Sequence, residues 1–135
     1  MVTRMTVNEL TPPPGYAHTA IVEAGERLVF LAGAVPLDPH GNLVGEGDPT
    51  AQTHQVLRNL TTALHAAGTG LPHVIATTVY VATTDHADLR AVWDVVHASG
   101  LTTGPHTSTL LGVTVLGYAG QIVEITATAV IPSTP

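Results

Sequence analysis

Lysine and cysteine are absent from the 135 residues, and charge of either sign is scarce. The strong cations are Arg4, Arg27, Arg58 and Arg90, and the formal net charge is -6. A chain so poor in cations offers no basic patch for a phosphate backbone, which argues against nucleic acid as a partner. An anionic membrane surface is disfavoured on the same ground. Without cysteine there are no disulfides, no thiolate nucleophile and no cysteine-ligated zinc. No apolar run approaches the roughly 18 residues that a membrane-spanning helix needs. No charged stretch followed by a long apolar run opens the chain, so a signal peptide is not expected and the default location is the cytoplasm.

What is present points to one domain over residues 1–135. A chain of this length buries roughly two-thirds of its unfolded surface and can build its own core. Apolar residues make up 44% and charged residues 10%, the latter well below the roughly 25% usual in globular domains. A surface so poor in charge is expected to be hidden in part by self-association.

Thr11-Pro12-Pro13-Pro14-Gly15 forbids a helix and predicts that residues 1–15 form an extended arm. His18–Ala24 and Arg27–Ala34 read as strands, with Gly25-Glu26 as a hairpin loop between them. Asp48 is a helix cap and Pro49 a first helical residue. Val56, Leu57, Leu60, Ala63, Leu64 and Ala67 then recur at three- and four-residue steps until Gly68. Ile75–Thr83 reads as a strand, and His86–Ser99 as a second helix with Leu89, Val92, Trp93 and Val96 on one face. Strands are predicted over His106–Leu116 and Gln121–Ile131, joined by Gly117-Tyr118-Ala119-Gly120 as an antiparallel pair. The expected fold class is α+β: a two-layer sandwich in which two helices cover one face of a mixed sheet.

Six segments in this order resemble the Rid/YjgF (reactive intermediate deaminase) family, whose fold is also called chorismate-mutase-like. They are Pro14-Gly15-Tyr16; Leu31-Ala32-Gly33-Ala34-Val35-Pro36; Ala51 to Leu60 with Ala66-Ala67-Gly68; Thr77-Thr78-Val79-Tyr80-Val81; Gly104-Pro105-His106-Thr107-Ser108; and Val123-Glu124-Ile125-Thr126-Ala127. The resemblance implies a homotrimer with a small-molecule pocket at each subunit boundary. It also implies an arginine that clamps a substrate carboxylate and a glutamate that positions water to hydrolyse an imine or enamine.

The arginine is missing. Anchoring on Pro105 puts Thr107 at its position, and anchoring on Gly112 puts Ser108 there. Alternation decides for Ser108 if Leu111, Val113 and Val115 face the helices, because His106, Ser108, Leu110 and Gly112 then face the pocket. In the last strand Val123, Ile125, Ala127 and Ala129 form the apolar row, and Glu124, Thr126 and Thr128 face the other way.

Glu124 is therefore the candidate for orienting or deprotonating water, the other reading being an interface hydrogen-bond acceptor. His106 is a candidate proton shuttle or a group that bonds across a subunit boundary. Tyr16, Gly33, Thr107 and Ser108 are the candidate substrate-binding positions. Arg90 either supplies the missing cation from the second helix or is an ordinary solvated arginine. The eight histidines show no zinc-motif spacing, so neither a metal nor another cofactor is expected. Two functions fit: hydrolysis or tautomerisation of an imine, enamine or related carbonyl compound other than a standard 2-imino acid, or non-catalytic metabolite binding or scaffolding.

Overall fold

The structure, a computed structural model, describes residues 1–133. Six strands and two helices follow one another as β1 (Val2–Met5), β2 (Thr19–Val22), β3 (Arg27–Phe30), α1 (Pro49–Ala66), β4 (Val74–Ala82), α2 (His86–His97), β5 (Thr107–Val113) and β6 (Val123–Ile131). Strands β1 and β2 form an antiparallel ribbon, and the main sheet runs β3-β6-β4-β5. Within it β4 and β5 are parallel, while the β3–β6 and β4–β6 pairs are antiparallel. The fold is a two-layer α+β sandwich with a mixed strand arrangement.

Local chemistry explains the helices. Asp48 sits in extended backbone and its side chain accepts from the Ala51 amide at 3.1 Å, satisfying one of the free donors of the first turn of α1. Pro49, which lacks an amide hydrogen, occupies the first helical turn without cost. Gly68 follows the helix with φ +85°, a conformation that a β-carbon would oppose. Asp85 caps α2 in the same way as Asp48 caps α1, accepting from Ala87 at 2.9 Å.

The apolar stripe of α1 buries Val56, Leu57, Leu60 and Leu64, and α2 adds Val92 and Val96. They pack on Val79 and Val81 of β4 and on Val123, Ile125, Ala127 and Ala129 of β6. Fully burying one valine, leucine or isoleucine side chain contributes roughly 1.5–3 kcal/mol. Among the described residues no helix is long and apolar enough to cross a membrane.

Four expectations need correction. The N-terminal segment is not only an extended arm: Val2–Met5 is a strand, and its partner is β2. Strands β2 and β3 consequently do not form a hairpin ladder; β2 bonds to β1, and β3 bonds to β6. Strands β5 and β6 are not paired either, because β4 lies between them. Lastly, the facing of β5 is inverted. Ser108, Leu110 and Gly112 are registered with Thr77, Val79 and Val81, on the helix side. Thr107, Thr109, Leu111 and Val113 share the uncovered face with Tyr80, the partner of Glu124.

Candidate functional site

The uncovered face presents Glu124, Thr126 and Thr128 from β6, as alternation in that strand predicts. Gln121 holds the Glu124 carboxylate. Its Nε2 donates to Glu124 Oε1 at 3.1 Å and to the Val123 carbonyl at 3.0 Å, and its Oε1 accepts from the Tyr118 amide. Gln121 is itself buried, so this anchor is fixed. Gly33 lies on the other side of the carboxylate, where a β-carbon would stand 2.4 Å from Glu124 Oε2. Only glycine leaves the carboxylate in this position. The backbone around Gly33 is pinned to β6 by the exchange between Ala34 and Ile125.

Thr107 shares the Glu124 face, and its hydroxyl donates to the Ile75 carbonyl at 2.9 Å. By register it stands beside Ala76, while Glu124 stands beside Tyr80. Strand spacing and rise put the two roughly 16 Å apart within one chain. Further along the face Phe30 is 76% exposed, and it borders a shallow hollow of about 160 Å³ lined by Thr78, Thr126 and Thr128.

His106 and Ser108 lie on the opposite, helix-facing side. His106 is fully buried. Its Nδ1 stands 3.3 Å from the Leu101 carbonyl and its Nε2 2.8 Å from Thr77 Oγ1, which is 2.7 Å from Ser108 Oγ. Desolvation pushes the imidazole down to about 4 from its ordinary 6.5; the Leu101 carbonyl opposes that shift, and the positive charge of Arg4 adds to it. The ring is neutral at pH 7. A carbonyl can only accept, so Nδ1 carries the proton and Nε2 accepts from Thr77. His106 therefore does not reach Glu124, and neither does Ser108.

Tyr16 also sits on the helix side. Its ring meets Trp93 edge-on at 6.2 Å, and the Trp93 Nε1 donates to the Pro14 carbonyl at 3.0 Å. Arg90 is an exposed residue of α2, in the layer away from Glu124. The predicted residues thus separate into Glu124, Gly33 and Thr107 on one face, and Tyr16, His106 and Ser108 on the other. A wider groove of about 540 Å³ between α1 and α2 is lined by His54, Arg58 and Val95 among others, and by none of the predicted residues. Among the described residues no group of three or more metal-ligating side chains converges.

Sequence reasoning missed three groups. Gln121 gave no periodic signal. Thr77 reads as an ordinary β-branched strand residue. Arg4 reads in the sequence only as a cation, yet its guanidinium donates to the carbonyls of Pro72, Val74, Gly104 and Pro105. It ties β1 to the start of β4 and to the loop entering β5.

The model of the family described as Endoribonuclease L-PSP matches residues 6–131. The chain belongs to this family, the Rid/YjgF family. Protein DfrA of Myxococcus xanthus is 35% identical over 115 residues, covering 85% of this chain and 84% of that protein. The 3-aminoacrylate deaminase RutC of Acinetobacter baylyi is 33% identical over 84 residues, covering 62% of this chain and 64% of that one. The crystal structure of the Rid protein family member YyfB from Yersinia pestis superposes with a TM-score of 0.89 at 31% identity, covering 96% and 98% of the two chains. The Rid fold is therefore the one expected from the six resembling segments.

Proposed function

We propose that this Rid protein is a cytoplasmic homotrimer whose Glu124 hydrolyses an imine, enamine or related carbonyl compound other than a small 2-imino acid. The observation that carries this reading is the Glu124 carboxylate, fixed by Gln121 and given room by Gly33 on the face that no helix covers. That face also bears the strongly exposed Phe30, which a second copy would shield. Glu124 and Thr107 are too far apart to share a pocket within one chain. A site using both takes them from two copies.

In the proposed reaction Glu124 accepts a proton from water as the oxygen adds to the imine carbon. The proton passes to nitrogen, the C–N bond breaks, and the products are a carbonyl compound and an amine or ammonia. Water is the only co-reactant consumed.

Substrate choice follows from Thr107. Anchoring on Pro105 puts it where the family resemblance calls for arginine, on the same face as Glu124, and a hydroxyl cannot make the charge-assisted bidentate contact that holds a carboxylate. Neutral or larger substrates are favoured accordingly. A ribonuclease role fits poorly, since Arg4 is committed to four backbone carbonyls and Arg58 to Gln55.

The second reading, a metabolite-binding or scaffold protein without catalysis, is favoured by the same missing guanidinium. Freshly generated 2-iminopropanoate and a neutral ketimine of similar size separate the two. Release of the ketone from the neutral compound, faster than in buffer and lost in Glu124→Gln, supports the enzyme. Rates equal to the buffer blank with both compounds support the binding protein. Rapid turnover of 2-iminopropanoate would overturn the assignment of substrate class.

A further inference from the structure

We propose that the groove between α1 and α2 is a second small-molecule site, selective for an apolar compound that ends in a carboxylate. The sheet lies between this groove and Glu124, so the site is independent of the hydrolysis proposed there.

The groove has a volume of about 540 Å³, within the roughly 300–1,000 Å³ of ordinary ligand sites. Its floor is Leu57 and Val95, which pack into the core. Thr61 and Thr62 line it as well, but their hydroxyls donate to the carbonyls of Leu57 and Arg58 one turn back, at 2.8 and 3.0 Å. The Ser99 hydroxyl donates likewise to the Val96 carbonyl. With these protons engaged inside their own helices, the threonines offer methyl groups, and no hydroxyl proton is left for a ligand.

The donors that remain are Arg58 and His54, one turn apart on α1. Arg58 is held from behind by a relay of amides. The carbonyls of Val35 and Leu37 accept from Asn59 Nδ2 at 2.7 and 2.8 Å. Asn59 Oδ1 accepts from Gln55 Nε2 at 3.0 Å, and Gln55 Oε1 accepts from Arg58 Nε and Nη2 at 3.2 and 2.8 Å. Because a carbonyl can only accept, the direction of each amide is imposed from that end. The guanidinium is thus oriented by a neutral partner that leaves its charge uncompensated.

Among the described residues the one ion pair joins the N-terminal amine to Glu26, and no acidic side chain lines the groove. In a chain of net charge -6, an arginine beside an apolar wall and without a carboxylate of its own is complementary to an anion on an apolar body. One cation matches a singly charged group. A phosphate dianion would leave a negative charge unmatched beside a chain already negative.

The test uses the full chain, isotope-labelled at its methyl groups, and two probes of one shape, 4-phenylbutyrate and 4-phenyl-1-butanol. Both should shift the Val95 and Leu57 methyl resonances. The carboxylate should bind about ten-fold more tightly, the range of one hydrogen bond to a charged group. Arg58→Gln should remove that preference and leave the dissociation constant of the alcohol unchanged. Ala98→Phe, at an exposed position on the groove wall, should weaken both probes by occupying their space. Equal affinity for the two probes in the wild type, a preference retained in Arg58→Gln, unchanged binding in Ala98→Phe, or shifts confined to Tyr16 and Trp93 would each overturn the proposal. So would the absence of any shift at Val95 and Leu57.

Discussion

The two faces of the β3-β6-β4-β5 sheet hold their polar groups in opposite ways. On the helix side, Thr77, Ser108 and His106 are consumed by one another and by a carbonyl. On the uncovered side, Gln121 anchors one oxygen of Glu124, and the other oxygen faces the space that Gly33 leaves open. A buried polar group without a partner costs roughly 1–3 kcal/mol, so polarity survives beneath helices only in closed networks. Where water or a second copy supplies the surroundings, a carboxylate can stay reactive. The same strand, β5, contributes Thr107 to one regime and Ser108 to the other.

The sharpest way to break this contrast is Glu124→Gln. It preserves volume and removes the base, so hydrolysis of the neutral imine should fall 100-fold or more while thermal stability stays near that of the wild type. A large drop in melting temperature would show that Glu124 is structural. Next in size is a matched pair of truncations. Leu60 is fully buried between α1 and the sheet, and Leu60→Ala should cost about 3 kcal/mol in urea unfolding. Thr126→Ala on the open face should change stability by less than about 0.5 kcal/mol. Comparable losses at the two sites would mean that the open face is packed as tightly as the covered one.

Those two faces also divide what could be read from sequence. Helix positions were legible because Asp48, Pro49 and Gly68 act locally, and because the α1 stripe repeats over many turns. The facing of β6 was legible for the same reason: Val123, Ile125, Ala127 and Ala129 form an unbroken apolar row. In β5 the apolar row, Leu111 and Val113 continuing to Val115, lies on the uncovered side or beyond the strand, and Val115 is 77% exposed. The core-facing row begins with His106 and Ser108, made tolerable by hydrogen bonds rather than by hydrophobicity. Apolar alternation alone therefore reads this strand upside down. Strand order was equally out of reach, since inserting β4 between β5 and β6 depends on long-range pairing. So do the four carbonyls gathered by Arg4.

Acid should expose the closed network. The His106 imidazole is held near 4 in the folded chain against an ordinary 6.5. The unfolded chain therefore binds more protons between those values, and stability falls as pH falls through that window. The contribution is fully present above about pH 6.5 and amounts to roughly 2 kcal/mol lost by pH 5. His106→Asn should be less stable at neutral pH but show a correspondingly flatter decline from pH 7 to 5 in chemical denaturation. Parallel declines for wild type and variant would remove His106 from the acid response.

The smallest effect tests whether Glu124 is held at all. Gln121 Nε2 reaches both Glu124 Oε1 and the Val123 carbonyl, and its Oε1 takes the Tyr118 amide proton. Gln121→Met keeps the length of the side chain and deletes all three contacts, so by itself it mixes several losses. Combining it with Glu124→Leu in a double-mutant cycle isolates the pair, since the Val123 and Tyr118 contacts are lost equally with either residue at position 124. A hydrogen bond to a partly exposed carboxylate should appear as coupling of about 1 kcal/mol in unfolding free energy. Salt should weaken that coupling only slightly, because the amide donor carries no net charge for ions to screen. Additive losses would mean that Gln121 merely fills space beside Glu124. The carboxylate would then be free to swing, and the fixed orientation on which the proposed water attack depends would be lost.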